Sequence, residues 1–412
     1  MTRAGWLSLV LGVSAAAIVV VPLVGETGTR ASTVGVSIPD RIAGYSLLTA
    51  DVTDAPTGPA LALYQRGLGV EFVDTPQAVV LAADDDAYRR VDAAEERSGP
   101  EDQGDPGPML LSPDGSSVAL GDHDTRDPDV GVVDLGTGHG TRYTLTGPRS
   151  VVPVAWSHDG SKIAYLAGRT PTNPHAGGPT VGELYLLDVD SGEVSSVPGV
   201  GRARTAAFSP DGRQLAVRPA GLGGGTLPIV DLATGTLRTV PADGVLTGPA
   251  AWSPDGELVA VSSPAGLAFV AVDGSAPGPA ELELDHPQRE QLLGWTGDRE
   301  VAVLDRSDPD TARLVAHPLS GGPTRRLTRI DHLGTYGISH VQLASALLPQ
   351  ARLRPAGSAG YGPLPARFRF PLAVVIGLAV AGVALLVLRR LLPGGRGRGR
   401  GRRSPRPYGG VS

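Results

Sequence analysis

Eight aspartates recur at two fixed places of a short repeat, and aspartate is a residue type that ligates hard cations and moves protons. Asp114, Asp159, Asp211 and Asp255 each stand in a Ser-x-Asp-Gly turn, whereas Asp134, Asp188, Asp231 and Asp273 each close an apolar run just before a second glycine. Turn chemistry accounts for both sets. In Ser-Pro-Asp-Gly the proline presets φ near −65°, the aspartate hydrogen-bonds its own downstream backbone, and the glycine accepts positive φ. His158 replaces that proline in one copy and is expected to be exposed.

The remaining candidates fail on spacing. Asp122, Asp124, Asp127 and Asp129 suggest a calcium loop, but Arg126 occupies the fifth position, no glycine stands at the sixth and no glutamate at the twelfth. Asp84 to Asp86 reads as an acidic turn. The 8 histidines are scattered, with no His-Glu-x-x-His or His-x-His spacing, so a metal hydrolase is not expected. Gly337 to Val341 reads Gly-Ile-Ser-His-Val, half of a nucleophile elbow. A count of 0 cysteines removes disulfides, thiolate metal sites, cysteine nucleophiles and a lipobox. No residue is therefore nominated as catalytic, cofactor-binding or metal-ligating, and no cofactor is expected.

The elements that carry these residues follow from the punctuation. The chain has 412 residues, 57 of them glycine and 37 proline, so it must turn often. Four segments share one pattern: MLLSPDGSSVAL from Met109, VAWSHDGSKIAY from Val154, AAFSPDGRQLAV from Ala206 and AAWSPDGELVAV from Ala250. A fifth, LGWTGDREVAVL from Leu293, keeps the tryptophan and loses the proline. The motif serines Ser112, Ser157, Ser209 and Ser253 lie 45, 52 and 44 residues apart, the period of propeller blades. A second turn follows in each unit, in VVDLGTG from Val132, LLDVDSG from Leu186, IVDLATG from Ile229 and VAVDG from Val270. Two hairpins per period make four strands, and closing such units into a ring leaves only short protected edges.

With these motifs in view, the Trp-Ser-Pro-Asp-Gly strand followed by Val/Leu-Asp-x-x-Thr/Ser-Gly resembles the TolB-like and WD-repeat-like β-propellers of bacteria, over Met109 to about Arg329. The resemblance implies an all-β propeller of four-stranded blades and leaves function open, because this fold serves receptors, scaffolds and enzymes alike. A further blade is expected from Ala60 to Gln65, Val70 to Asp74, Ala78 to Ala83 and Ala87 to Ala93, giving six blades, with seven as the alternative. Tyr336 to Leu348 is expected either to pair with Ile42 to Thr49 and close the ring or to start a partial seventh blade.

Charge divides the chain as sharply as the repeat. No acidic residue precedes Glu26 or follows Asp331, and the portion between the two apolar runs carries 27 basic against 42 acidic residues, a net −15. Such a body is a poor nucleic-acid partner. Trp6–Val24 and Phe370–Leu388 are uncharged runs of 19 residues, each about 28 Å long as a helix and so near the thickness of a bilayer core. The first is a signal anchor or a signal peptide; the second is a transmembrane helix. Eight arginines beyond it, from Arg389 to Arg406, place the tail in the cytoplasm and the acidic body outside it. The tail reads as a stop-transfer signal or as an anionic-lipid contact.

The expected organisation is a signal segment at 1–25, a propeller at 34–349, a flexible Pro/Gly tether at 350–367, a transmembrane helix at 368–392 and a disordered arginine-rich tail at 393–412. The expected function is a membrane-anchored, extracytoplasmic, non-catalytic module that binds a protein partner, touching it through the long loop Gly168–Gly182. The alternative is a propeller enzyme, lactonase-like, with its site in the channel.

Overall fold

The computed structural model describes residues 35–67, 76–175, 180–221, 224–274, 281–331 and 337–391. The first apolar run, the arginine-rich tail and the strand expected over Val70–Asp74 lie outside them.

Strands dominate residues 37–354. β1 (Ser37–Pro39) is followed by β2 (Ala60–Arg66), β3 (Gln77–Ala82) and β4 (Tyr88–Arg90). Next come β5 (Met109–Leu111), β6 (Ser117–Leu120), β7 (Asp129–Asp134) and β8 (Gly140–Thr144), then β9 (Ser150–Trp156), β10 (Lys162–Gly168), β11 (Gly182–Asp188) and β12 (Val194–Ser196). β13 (Arg202–Phe208), β14 (Gln214–Pro219), β15 (Gly225–Asp231) and β16 (Leu237–Ala242) precede β17 (Val245–Leu246), β18 (Leu258–Ser262), β19 (Gly266–Ala271) and β20 (Leu282–Glu283). The series ends with β21 (Glu290–Gly297), β22 (Glu300–Asp305), β23 (Thr311–Pro318), β24 (Arg325–Asp331), β25 (Ile338–Leu343) and β26 (Arg352–Arg354).

Their pairing makes a propeller of four-stranded antiparallel blades. Four such sheets stand separately: β25-β2-β3-β4, β5 to β8, β17 to β20 and β21 to β24. This departs from the six or seven separate blades expected, because β9 to β16 form one eight-stranded sheet in which Gly182 and Glu183 of β11 pair with Ala203 and Arg202 of β13. The chain ends also meet differently from expectation. β25 pairs with β2, not with Ile42–Thr49, so the C-terminal strand completes the N-terminal blade; Ile42 bridges Ile330 instead.

Burial explains why the strands read as continuous apolar runs. Every residue of β2 and β3 is buried, since both faces of a blade are covered by its neighbours, whereas the outer strands β8 and β12 are mostly exposed and polar. Six hydrophobic clusters join successive units in a cycle. Leu293 and Leu304 pack with Leu61 and Leu81, Leu63 with Leu120, Leu110 with Ile163, Leu166 with Phe208, Ala216 with Val261, and Phe269 with Val303. Leu166, Leu184 and Leu186 thus face Phe208, Leu215 and Val217 across the two halves of the eight-stranded sheet.

The segment expected as a free tether is largely docked. β26 pairs in parallel with β1, and Arg354 makes a two-pronged contact with Asp86 at 2.7 and 3.0 Å. From Arg367 on, the helix Ala366–Leu391 belongs to a separate unit; its stretch Ala366–Leu388 is long and apolar enough to cross a membrane, and it is the one such helix among the described residues.

Candidate functional site

The aspartates of the first turn do what their spacing predicts. Ser112, Ser157, Ser209 and Ser253 donate to Asp114, Asp159, Asp211 and Asp255 at 2.6, 2.6, 2.6 and 2.5 Å, and each carboxylate also accepts the backbone N–H two residues on at 3.0 to 3.1 Å. The glycines have φ of 72°, 75°, 69° and 74°. The Ser157 and Ser209 hydroxyls hold Asp159 and Asp211 below the ordinary carboxylate range. Burial works the other way at Asp114 and Asp255, but the serine and backbone donors prevail. In the second turn, Asp134, Asp188 and Asp231 accept from Thr137, Ser191 and Thr234, and the Ser191 N–H and hydroxyl pull Asp188 down to about 2.

Arginine occupies the acidic loop. Arg97 pairs with Asp122 at 2.7 Å and also with Asp129, while Arg149 pairs with Asp124. Among the described residues no group of three His, Cys, Asp or Glu side chains is arranged to hold a metal ion.

The propeller encloses a cavity of about 480 Å³. β5, β9, β13, β21 and β25 all contribute to its wall, together with residues 247–252 after β17. Trp156, Phe208, Trp252 and Trp295 face it, and the indole N–H groups are already used, on the carbonyls of Gly160, Ala207 and Ala251. The turn prolines Pro113, Pro210 and Pro254 line the same cavity, with His158 as their counterpart in the second turn. His158 is half-buried, not exposed as its place in the turn suggests, and burial lowers its pKa against the pull of Asp159 and Asp114.

His340 is the other titratable lining residue. It sits in a bulge of β25, where His340 and Val341 lie opposite Tyr64, and its φ of 49° is a left-handed value uncommon outside glycine. The residue is exposed, and partial desolvation by the surrounding wall, reinforced by Arg306 and His175, lowers its pKa while Asp105 opposes.

A second cluster joins the connector Gly99–Asp105 to the loops after β6 and β10. His123 Nδ1 lies 2.8 Å from the Thr172 hydroxyl, and its Nε2 is 3.7 Å from Asp102 Oδ1. His175 Nε2 lies 3.1 Å from the Asp102 carbonyl and 3.7 Å from Asp105. Burial raises Asp102 to about 6, helped by Asp105 and Asp122 and opposed by the Gly99 N–H. Burial also lowers His123 to about 4, with His340 and His175 adding to it. These histidines are scattered in sequence but share one electrostatic neighbourhood. No local spacing signals it, because the partners are 21 to 73 residues apart.

The loop expected as the free contact surface, Gly168–Gly182, is partly committed to that cluster. Thr172 N–H donates to the His123 carbonyl at 2.9 Å, and Asn173 donates to Glu101 at 2.9 Å; residues 176–179 lie outside the described set.

No protein-family model and no curated protein matches the chain. Among solved structures it is similar to TolB from Acinetobacter baumannii, at 15% identity and a TM-score of 0.48, covering 69% of this chain and 67% of that one. It is similar to a putative TolB from Agrobacterium tumefaciens at 14% identity and a TM-score of 0.41, covering 67% and 91%. A third is the dihydro-heme d1 dehydrogenase NirN in complex with DHE, at 17% identity and a TM-score of 0.37, covering 71% and 61%. At that level of likeness the strand pairing and the interlocked cores, and not the neighbours, establish the propeller.

Proposed function

We propose that this chain is a membrane-anchored, extracytoplasmic, six-bladed propeller that binds a protein partner at its central cavity without catalysing a reaction. The blade count treats the eight-stranded sheet as two blades, since its halves pack face to face through Leu166, Leu186, Phe208 and Leu215. The anchor is the helix Ala366–Leu388, with the arginines beyond it retained in the cytoplasm. The Arg-rich tail and the bilayer are further contacts of this reading.

The observation that carries the reading is the character of the cavity wall. Trp156, Phe208, Trp252, Trp295 and several prolines share it with leucines, threonines and glutamines; its lining residues, among the described residues, include no Asp, Glu, Lys or Arg, and its two histidines both have lowered pKa values that leave them neutral near pH 7. Acid–base catalysis needs a positioned proton donor and acceptor within reach of substrate. An aromatic, uncharged cleft instead suits an apolar side chain or a proline-rich segment. The channel-enzyme reading draws on one observation, the strained His340 at the wall.

Fluorescence tests both. The chain has 4 tryptophans, Trp6 and the three that face the cavity, so a Trp6→Phe full-length protein in detergent reports on the cavity alone. A blocked, uncharged Pro/Leu/Phe peptide should quench or blue-shift that signal saturably, and Ala250→Arg, which fills the cavity with a charge, should abolish the response. No response overturns the cavity as the binding site. Lactone turnover that disappears in His340→Gln would overturn the non-catalytic reading.

A further inference from the structure

β13 carries a bulge beside the cavity. Ala203 pairs with Pro219 and Thr205 with Arg218, so Arg204 is an extra residue, and Arg204 and Thr205 together oppose Arg218. A bulge of this kind re-aims a side chain, and cross-strand partners share one face of the sheet. Thr205 lines the cavity. Arg204 and Arg218 therefore flank a cavity-lining residue on two adjoining strands, just beyond the wall itself.

Neither arginine is neutralised. Both are half-buried, and no Asp or Glu among the described residues forms an ion pair with either. Arg204 Nη2 donates to the Ala220 carbonyl at 3.2 Å, while its Nε is buried without an acceptor. Burial lowers the pKa of Arg218, and the neighbouring charge of Arg204 adds to the shift. Acid is not scarce in this body, where Arg90 holds Asp51 and Glu95, and Arg97 holds Asp122 and Asp129. Two like charges side by side, one with an idle buried donor, are costly unless an anion from outside completes them.

Position decides what carries such an anion. Along β13 the cavity wall runs from Thr205 to Phe208 and on to Pro210 in the next turn. At about 3.3 Å per residue, Thr205 stands about 10 Å from Phe208, the reach of about three residues of extended peptide. A guanidinium recognises a carboxylate through two parallel N–H donors, and Thr205 brings a hydroxyl to the same strand pair.

Resting on the cavity reading above, we propose that Arg204 and Arg218 form an anion site that receives a carboxylate of the partner, carried about three residues along its chain from the apolar side chain seated at Phe208. The carboxylate belongs to a chain terminus or to an Asp or Glu side chain. The partner segment is thus both apolar and acidic: the cavity takes its apolar residues, and the arginines fix the direction in which it lies.

The test is a titration of the Trp6→Phe full-length protein in detergent, read by tryptophan fluorescence, with three N-acetylated peptides that share a Phe-Pro-Leu-Pro core. One is amidated, one ends in a free carboxylate, and one carries an added aspartate before its amide. At least one carboxylate peptide should bind tenfold or more tightly than the amide, and the tighter of the two identifies the source of the charge. That advantage should shrink several-fold in about 1 M salt. Arg204→Gln and Arg218→Gln should each reduce the affinity for that peptide to the affinity for the amide. Because each substitution relieves a repulsion, neither should lower the melting temperature, which separates a lost contact from a lost fold. An amide that binds with no advantage for either carboxylate, or an advantage that survives in both variants, overturns the arginine site alone. Failure of all three peptides to bind overturns the cavity reading and this proposal with it.

Discussion

Aspartates serve opposite ends of the physical scale in two regions of this propeller. In the Ser-x-Asp-Gly turns each carboxylate receives a serine hydroxyl and a backbone N–H from within five residues, and its pKa is lowered. Asp102, in the connector before β5, is 1% exposed, its Oδ1 has no hydrogen-bond donor, and its pKa is raised to about 6. Donors that are adjacent in sequence make the first group a turn device. Partners brought from distant loops make the second a point of electrostatic tension.

The turn region itself contains a contrast that gives the largest expected effect. Gly115 and Gly212 occupy the same motif position with φ of 72° and 69°. A methyl added to Gly115 would overlap the Ala60 carbonyl oxygen of the neighbouring blade, whereas Gly212 has open space around it. Gly115→Ala should therefore cost about 3 kcal/mol or more, strain and blade displacement together, and Gly212→Ala only about 1 to 2 kcal/mol from the left-handed backbone. Chemical denaturation of both variants checks this. Equal losses would mean that the interface between β2 and the β5–β6 turn is not packed as described.

Next in size is the carboxylate itself. Asp211→Ala should destabilise by about 1 to 2 kcal/mol, because the Ser209 hydroxyl and the Arg213 N–H both lose their acceptor. Asp102→Asn should cost much less at pH 7, where the native carboxylate is ionised against its burial. A loss at Asp102 equal to that at Asp211 would remove the distinction between the two regions.

The same distinction predicts separate pH windows. Asp211, lowered, contributes stability that is present above the ordinary carboxylate value near 3.8 and is lost as pH falls through its depressed pKa. Asp102, raised, contributes the reverse: its stabilising effect is complete below about 3.8 and is lost as pH rises through about 6. His123, lowered, contributes stability that is present above 6.5 and is lost as pH falls through about 4. Between pH 4 and 6 the last two oppose each other. Asp102→Asn should consequently lose stability more steeply than the native protein on acidification, and His123→Gln should gain it. Melting temperatures from pH 4 to 7 that shift in parallel for all three proteins would refute the opposition.

What was legible in the sequence follows the same division. The blade period, the hairpins and the roles of Asp114 or Asp231 depend on contacts a few residues apart, and turn chemistry prescribes them. The fusion at Gly182–Ala203, the pairing of β25 with β2 and the clasp between Asp86 and Arg354 depend on which distant edges meet. Asp84–Asp86 looks like an ordinary acidic turn until residue 354 arrives. His158, though flagged by its place in the motif, could be assigned to the cavity wall only once the turns were set around one axis.

The smallest expected effect is none at all, and it tests the acidic loop. Asp122, Asp124 and Asp129 provide the charge density of a cation site, but Arg97 and Arg149 already neutralise it, and Arg97 is itself largely buried between two of the three. A divalent ion would have to displace a guanidinium that has no solvent to return to, a costly exchange. EDTA should leave the melting temperature of the full chain unchanged, and added calcium should not raise it. The control is Arg97→Met: with that guanidinium removed, Asp122 and Asp129 lose the cation between them, and calcium should then stabilise the variant by a few degrees while leaving the native protein indifferent. A calcium-dependent rise in the native protein would show that the loop is a cation site despite its arginines.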